Sequence, residues 1–392
     1  MNPVICSIAR TPIGRFNDVY APLSAMDLGG FAIAGALERA GMSGSQIDEV
    51  LFGHVLQAGQ GQITARQAAV NGGIPMTVPA TTINKVCLSG LTAIQEAGNH
   101  IRLGESKFVV AGGMESMTNA PYVIPGARAG LRMGDATVVD TMIHDGLFCS
   151  FDSCMMGESS DLKNSDLGIG RAEQDMLSEA SHRRAALATD NGTFAREIVP
   201  VTVPQRRGEP VVVTADGGIR RGTTLDSLAK LRPAFNAEGT ITAGNASQIS
   251  DGAAAVVVAD RSAAEAAGIP VLAEIVSYGQ VAGPDATLHE RPAEAIRMAL
   301  KRTEMSVEDI DLFEINEAFA SVALHSVAML GVDHSRVNIH GGAVALGHPL
   351  GATGARIVVT LINALQTTGG TIGAAALCGG GGQGDAMIIR MV

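Results

Sequence analysis

Tryptophan is absent from this chain and tyrosine occurs only three times in 392 residues, which excludes the aromatic stacking platforms that grip single-stranded nucleic acid. Basic excess is missing too. The formal charge is −11, whereas nucleic-acid binders present a positive face, so no nucleic-acid partner is expected. No apolar run approaches the roughly 18 residues of a membrane span, so no membrane partner is expected. Residues 1–10 lack the basic start and apolar core of a signal peptide, and the final Ile-Ile-Arg-Met-Val is not a peroxisomal address. The five cysteines (6, 87, 149, 154, 378) form an odd set without Cys-x-x-Cys or zinc-type histidine spacing. That usage predicts a reducing compartment, a cytoplasmic location and no metal.

Glycine, by contrast, is abundant at 48 residues, with 46% hydrophobic and 17% charged residues. Such a composition predicts tight turns, close packing and backbone-lined sites. The length predicts two or three domains.

An internal duplication organises the chain. Shifted by 263 positions, Ala36–Asp48 lands on Ala299–Asp311 with seven of 13 pairs identical. Each copy is a helix end, a turn and the start of an apolar strand. At nearly the same offset Cys87 falls on His348, Gly90 on Gly351 and Thr92 on Thr353. Further on, Phe108–Gly113 is matched to Ala375–Gly380. Strands alternating with amphipathic helices predict a mostly parallel, helix-covered sheet built twice. The segment 118–249 matches neither half and is predicted to be an insert. From Gln205 to Phe235 it carries six Arg/Lys (206, 207, 220, 221, 230, 232) against three acids (209, 216, 226), a local place to dock an anion.

Three glycine-framed segments carry the chemistry. In Asn84–Gly90, Asn84 is read as an N-cap and Cys87 as a residue of the first helical turn, where backbone N–H groups and the dipole stabilise a thiolate and could form half of an oxyanion hole. In Gly347–Gly354, His348 opens a helix and is placed to act as base or donor. Cys378 precedes Gly379–Gly384. That last run satisfies Gly-x-Gly-x-x-Gly, but it leads into a strand near the chain end instead of a helix, so it is not a dinucleotide fingerprint. Two cysteines and a histidine beside backbone-exposing glycines are the parts of a thiol-based acyl transferase.

With Arg10–Gly14, Ala111–Met117 and Asn316–Ala320 added, these motifs make the chain resemble the thiolase family, acetyl-CoA acetyltransferase type, nearly end to end. The resemblance implies an α/β fold of two layered α/β/α halves with mixed sheets plus an inserted loop domain, and a homotetramer. The halves are expected at 1–117 with 250–270 and at 271–392, with the insert at 118–249 binding coenzyme A and making oligomer contacts. It implies Cys87 as acyl-accepting nucleophile, His348 as its base, Cys378 as acid/base at the second acetyl-CoA, Asn316 holding a water at the enolate, and the N–H groups of Cys87 and Gly380 as oxyanion donors. Substrate contacts carried over are Arg220, Ser227, Phe235, Ala243, Ser247, Phe319 and Met156. No permanent cofactor is implied, coenzyme A and acetyl-CoA being substrates. The expected reaction joins two acetyl-CoA into acetoacetyl-CoA, and reverses by thiolysis.

Two departures bear on acyl length: Met155 stands where short-chain members carry histidine, and Leu288–Pro292 replaces a Met-Gly-x-Gly-Pro run. They leave open a thiolase acting on longer 3-ketoacyl-CoA. A non-catalytic acyl or sterol carrier would lack a catalytic residue, and all four are present. A decarboxylating ketosynthase would want a second histidine where Cys378 stands.

Overall fold

Runs of Val, Ile and Ala flanked by glycine form strands buried on both faces, the pattern of a sheet sandwiched between helices. In the computed structural model, which describes all 392 residues, the principal elements are β1 (Pro3–Arg10), α1 (Ala25–Ala40), β2 (Glu49–Gly53), α2 (Thr64–Asn71), β3 (Ala80–Ile83), α3 (Ser89–Leu103) and β4 (Phe108–Ser116), then α4 (Met156–Leu167) and α5 (Arg171–Asp190), then β5 (Ser250–Asp260), β6 (Ala273–Ala282), α6 (Arg291–Leu300), β7 (Leu312–Ile315), α7 (Ala320–Leu330), α8 (Leu350–Thr368), β8 (Ile372–Gly379) and β9 (Gln383–Met391).

The strands run β7-β8-β9-β6-β1-β5-β4-β2-β3, with the short strand Gly14–Arg15 paired to β5. Only β2/β3, β2/β4 and β7/β8 are parallel. The other main pairs are antiparallel, so the sheet is mixed and not mostly parallel. The reason is local: β5 returns from the insert to lie between β1 and β4, and β8 turns back into β9 through Gly381 and Gly382, both at positive φ.

The duplication is visible in bonds. Asp48 accepts the N–H groups of Lys107 and Phe108 where β4 begins, and Asp311 accepts those of Thr371 and Ile372 where β8 begins. The Ser7 hydroxyl donates to Ala36 O and Ser277 to Ala299 O, each from a register shift in its strand. These pairs make Phe108 the equivalent of Ile372, three residues from the sequence match to Ala375. Glycine misled that match: Gly112 and Gly113 sit inside β4, where an added Cβ would meet Ala254 O and Gly351 O, whereas Gly379–Gly382 end β8 and turn the chain.

One large apolar cluster gathers α3 and α8 between the two halves of the sheet. A second lies under α1 and α2 and a third under α6 and α7. The halves therefore meet along two central helices, and the starts of those helices abut. Cβ atoms built at Gly53 and Gly90 would each lie 2.8 Å from Gly351 O. The insert is anchored by the fully buried Arg10, which holds Glu197 at 2.5 Å and Asp216 at 2.7 Å.

Candidate active site

The nucleophile candidate stands on a strained turn. Val86 has φ of 50°, a left-handed conformation that a β-branched residue rarely adopts. Surrounding bonds hold it there: Asn84 Oδ1 accepts the Val86 N–H at 3.1 Å, Ser89 Oγ donates to Val86 O at 2.6 Å, and Lys85 N–H donates to Ser89 Oγ at 2.8 Å. Lys85 Nζ pairs with Asp385 of β9 at 2.8 Å, and the Thr92 hydroxyl joins the same carboxylate at 2.9 Å. Asn84 thus caps this turn and not the helix, and Cys87 lies two residues before α3 instead of in its first turn.

The second half repeats the device. Gly347 takes φ of 109°, His348 follows, and α8 begins two residues later. His348 N–H donates to Gln248 O at 3.0 Å, while Gln248 Nε2 donates to Gly218, Val344 and Ala345 carbonyls. The insert therefore helps to place the histidine.

A tautomer follows from the hydrogen bonds of that ring. Thr353 Oγ1 lies 2.7 Å from His348 Nδ1 and donates its single proton to Pro349 O at 2.9 Å. Nδ1 must then be the donor toward Thr353, which leaves the Nε2 lone pair free; Nε2 is buried with no protein partner. Burial, helped by the charge of Arg356, pulls the imidazole down to about 3, so the ring is neutral.

Burial acts oppositely on the thiols. It pushes Cys87 up to about 12, although its own N–H and that of Gly380 face the sulfur and pull the other way. Cys378 is pushed up as well, by burial and by the nearby Cys87. The depressed thiol expected of a helix start is not what this setting produces. Resting Cys87 is therefore a thiol and resting His348 a neutral imidazole.

Cys378 is the last residue but one of β8, and Asn316 follows the neighbouring parallel strand β7, its N–H bonded to Ala376 O at 2.9 Å. Both lie at the carboxyl ends of adjacent parallel strands, where α/β sheets place ligands. The amide of Asn316 is fully buried with neither Oδ1 nor Nδ2 partnered. Buried amides need such partners, so a water or ligand is wanted there.

Around Cys378 gather Leu288, Ala318 and Val322, with Met156 and Phe319 packed on them. Phe235 meets Phe319 edge-on at 6.2 Å and fills the space beside Gly157. Ser247 N–H donates to Ala318 O at 3.0 Å. Met156, Phe235, Ser247 and Phe319 are thus brought together with Cys378. Arg220, Ser227 and Ala243 are exposed and are not among the residues packed around Cys378. Ser227 and Thr224 cap a short helix between them, and Gly244 lies against Leu228 and Leu231 of the same segment. In the basic stretch, Asp216 is consumed by Arg10 and Arg221 by Asp190. Arg206, Arg207, Arg220, Lys230 and Arg232 have no acidic partner.

Three positioning residues carried no role at the level of sequence. Glu115 accepts N–H groups from Val55, Leu56 and Gly351, tying β4 to the start of α8. Glu317 accepts from Ser181, Asn338 and Val344, and Asn338 brackets both backbone groups of Ile315, beside Asn316. Glu115 and Glu317 lie inside motifs the sequence did single out, which was the available signal. Asn338 offered none.

Comparison with known proteins decides the family. The thiolase N-terminal domain matches residues 3–262 and the thiolase C-terminal domain residues 269–391. This chain belongs to the thiolase family. It is 50% identical to the probable acetyl-CoA acetyltransferase of Mycolicibacterium smegmatis over 99% of this chain and 100% of that one. Identity to the acetyl-CoA acetyltransferase of Pseudomonas aeruginosa is 47%, covering 98% of each. The crystal structure of the Bacillus anthracis acetyl-CoA acetyltransferase superposes with a TM-score of 0.96 at 39% identity, covering 100% of this thiolase and 99% of that chain. No helix of this thiolase is long and apolar enough to cross a membrane.

Proposed function

We propose that this thiolase is an acetyl-CoA C-acetyltransferase, joining two acetyl-CoA into acetoacetyl-CoA and coenzyme A and running the reverse thiolysis. The observations that carry the assignment of roles are the free lone pair on His348 Nε2, set by Thr353, and a neutral Cys87 thiol whose sulfur faces two backbone N–H groups.

Nε2 of His348 takes the Cys87 proton as the sulfur attacks the acetyl carbonyl. The tetrahedral oxygen accepts hydrogen bonds from the N–H groups of Cys87 and Gly380. As the C–S bond to coenzyme A breaks, the departing thiolate takes the proton of Cys378. The products of this half-reaction are acetyl-Cys87, a Cys378 thiolate and an imidazolium. The Cys378 thiolate then removes a methyl proton from the second acetyl-CoA, and the enolate oxygen is held by His348 Nε2–H and by a water on the amide of Asn316. Carbon attacks the acetyl group, and Cys87 leaves and recovers its proton from His348. Every proton is returned, so no cofactor beyond the coenzyme A substrates is needed.

Met156, Phe235, Ser247 and Phe319 line the approach to Cys378, and Arg220, Ser227 and Ala243 receive the far end of the coenzyme. The insert at 118–249 carries most of these contacts and contributes oligomer contacts in a cytoplasmic homotetramer, with halves at 1–117 plus 250–270 and at 271–392.

The test separates the half-reactions. A folded Cys378→Ala variant should still be acetylated at Cys87 by acetyl-CoA, more slowly because the departing thiolate must take its proton from water, while losing condensation and thiolysis. Mass spectrometry finding no acetyl-enzyme in that variant would overturn the division of labour.

A further inference from the structure

Cys149 and Cys154 lie outside the catalytic set, and the fold sets them face to face. The segments Phe148–Cys149 and Cys154–Met155 form a two-stranded antiparallel hairpin in which Cys149 is the direct partner of Cys154. Directly opposed residues of such a ladder have Cα atoms about 4.5–5.5 Å apart and side chains on one face. That interval falls within the roughly 4.4–6.8 Å spanned by disulfides. Both thiols are free.

Their surroundings differ usefully. Cys154 is partly exposed and Cys149 is buried, so a small oxidant meets Cys154 first and the resolving thiol is held beneath it. Asp152 N–H, from the four-residue turn, points at the Cys149 sulfur at 3.4 Å. The hairpin leads directly into α4 at Met156. Cys149, Phe151 and Met156 share a cavity wall with Gly380 and Gly381.

We propose that Cys149 and Cys154 are a covalent modification site, closing reversibly to an intra-hairpin disulfide when the protein meets a hydroperoxide. The Cys154 sulfur attacks the terminal peroxide oxygen, forming S–O and breaking O–O. The released oxygen takes a proton and leaves as water or alcohol. Cys149 then attacks the sulfenic sulfur, S–S forms, S–O breaks, and the hydroxide leaves as water with the Cys149 proton. Two thiols lose two electrons and two protons, and the peroxide gains them. Desolvation and the carboxylates of Glu158 and Asp152 raise the Cys154 thiol above its ordinary range, so closure is slow near neutral pH. A thiol reductant reverses it by exchange.

The site is separable from the catalytic cysteines because trypsin leaves Cys149 and Cys154 in one peptide, Met133–Lys163, without Cys87 or Cys378. The full-length protein is treated with hydrogen peroxide, alkylated, digested without reduction and mapped. The expected result is a Met133–Lys163 peptide lighter by two hydrogens than the free dithiol form and carrying no alkyl group. Dithiothreitol before alkylation should restore two alkyl groups. Cys154→Ser should abolish the closed peptide while acetyl-CoA condensation in the reduced protein stays unchanged. A peptide still alkylated twice after peroxide has already oxidised Cys87 would overturn the proposal. So would Cys149 found bridged to a cysteine other than Cys154.

Discussion

Replacing Thr353 by valine tests the tautomer on which the His348 assignment rests. Valine keeps the shape of threonine and puts a methyl group in place of the hydroxyl. Two bonds disappear, the 2.7 Å contact to His348 Nδ1 and the 2.9 Å bond to Pro349 O. The second loss is small, because Pro349 O still accepts the N–H groups of Ala352 and Thr353, each at 3.0 Å. The first leaves a buried N–H without a partner, which costs about 1–3 kcal/mol. The ring can escape that cost by shifting its proton to Nε2, which removes the lone pair that must accept from Cys87. Either way the barrier to acetylation rises by a similar amount, roughly 5- to 150-fold in rate. Single-turnover acetylation of Cys87 by acetyl-CoA, followed by intact-protein mass spectrometry, reads this step alone. The expected result is a slower acetylation and lower kcat with KM for acetyl-CoA nearly unchanged, since the hydroxyl lies behind the ring. Thr353→Ser, which restores the hydroxyl, should recover most of the rate, whereas a merely structural threonine would be rescued no better by serine than by valine. Valine acetylating at the native rate would refute the argument.

The pH behaviour follows from burial of both partners. With the Cys87 thiol pushed up to about 12 and the His348 ring pulled down to about 3, iodoacetamide alkylation of Cys87 should climb continuously between pH 7 and 10, with no inflection near the histidine value of roughly 6.5; a plateau below pH 9 would show a stabilised thiolate instead. Arg220 is exposed and has no acidic partner, so Arg220→Ala should raise KM for acetyl-CoA with kcat kept, and the effect should shrink with salt as screening tightens to about 10 Å at 0.1 M. Steady-state kinetics at low ionic strength with an unchanged KM would remove it from the coenzyme site. Gly90→Ala would place a methyl 2.8 Å from Ala355 N and Gly351 O, backbone that cannot yield, so urea unfolding should show a loss of about 1–3 kcal/mol. Gly98→Ala, on the same helix with its nearest neighbours at 3.6 Å, should instead be neutral or gain about 0.5–1 kcal/mol; equal losses at the two sites would refute this account of helix contact.

What the sequence determined by itself was whatever is written in contiguous residues. The repeat from Ala36 to Asp48 and from Ala299 to Asp311 announced two similar halves, since each copy carries the same cap, turn and strand start. Cys87, His348 and Cys378 were singled out because each lies in a short motif whose glycines permit close backbone approach, whereas Asn316, in a motif without glycine, was singled out only through the family resemblance. Tertiary structure alone decided what depends on partners far away in the chain. The three-residue slip between β4 and β8 appears only when Asp48 and Asp311 are seen clamping their strands, because glycine in a strand and glycine in a turn look alike in sequence. The positive φ of Val86 has no sequence signature; a valine there reads as strand or helix, and the strain is held by Asn84, Ser89 and the distant Asp385. The direction of the thiol shift also reversed, because a helix start favours a thiolate while full burial disfavours it more, and burial belongs to the assembled fold. The histidine tautomer, finally, is set by a hydroxyl five residues on whose only proton is already given to Pro349, a constraint that exists once α8 has wound and not before.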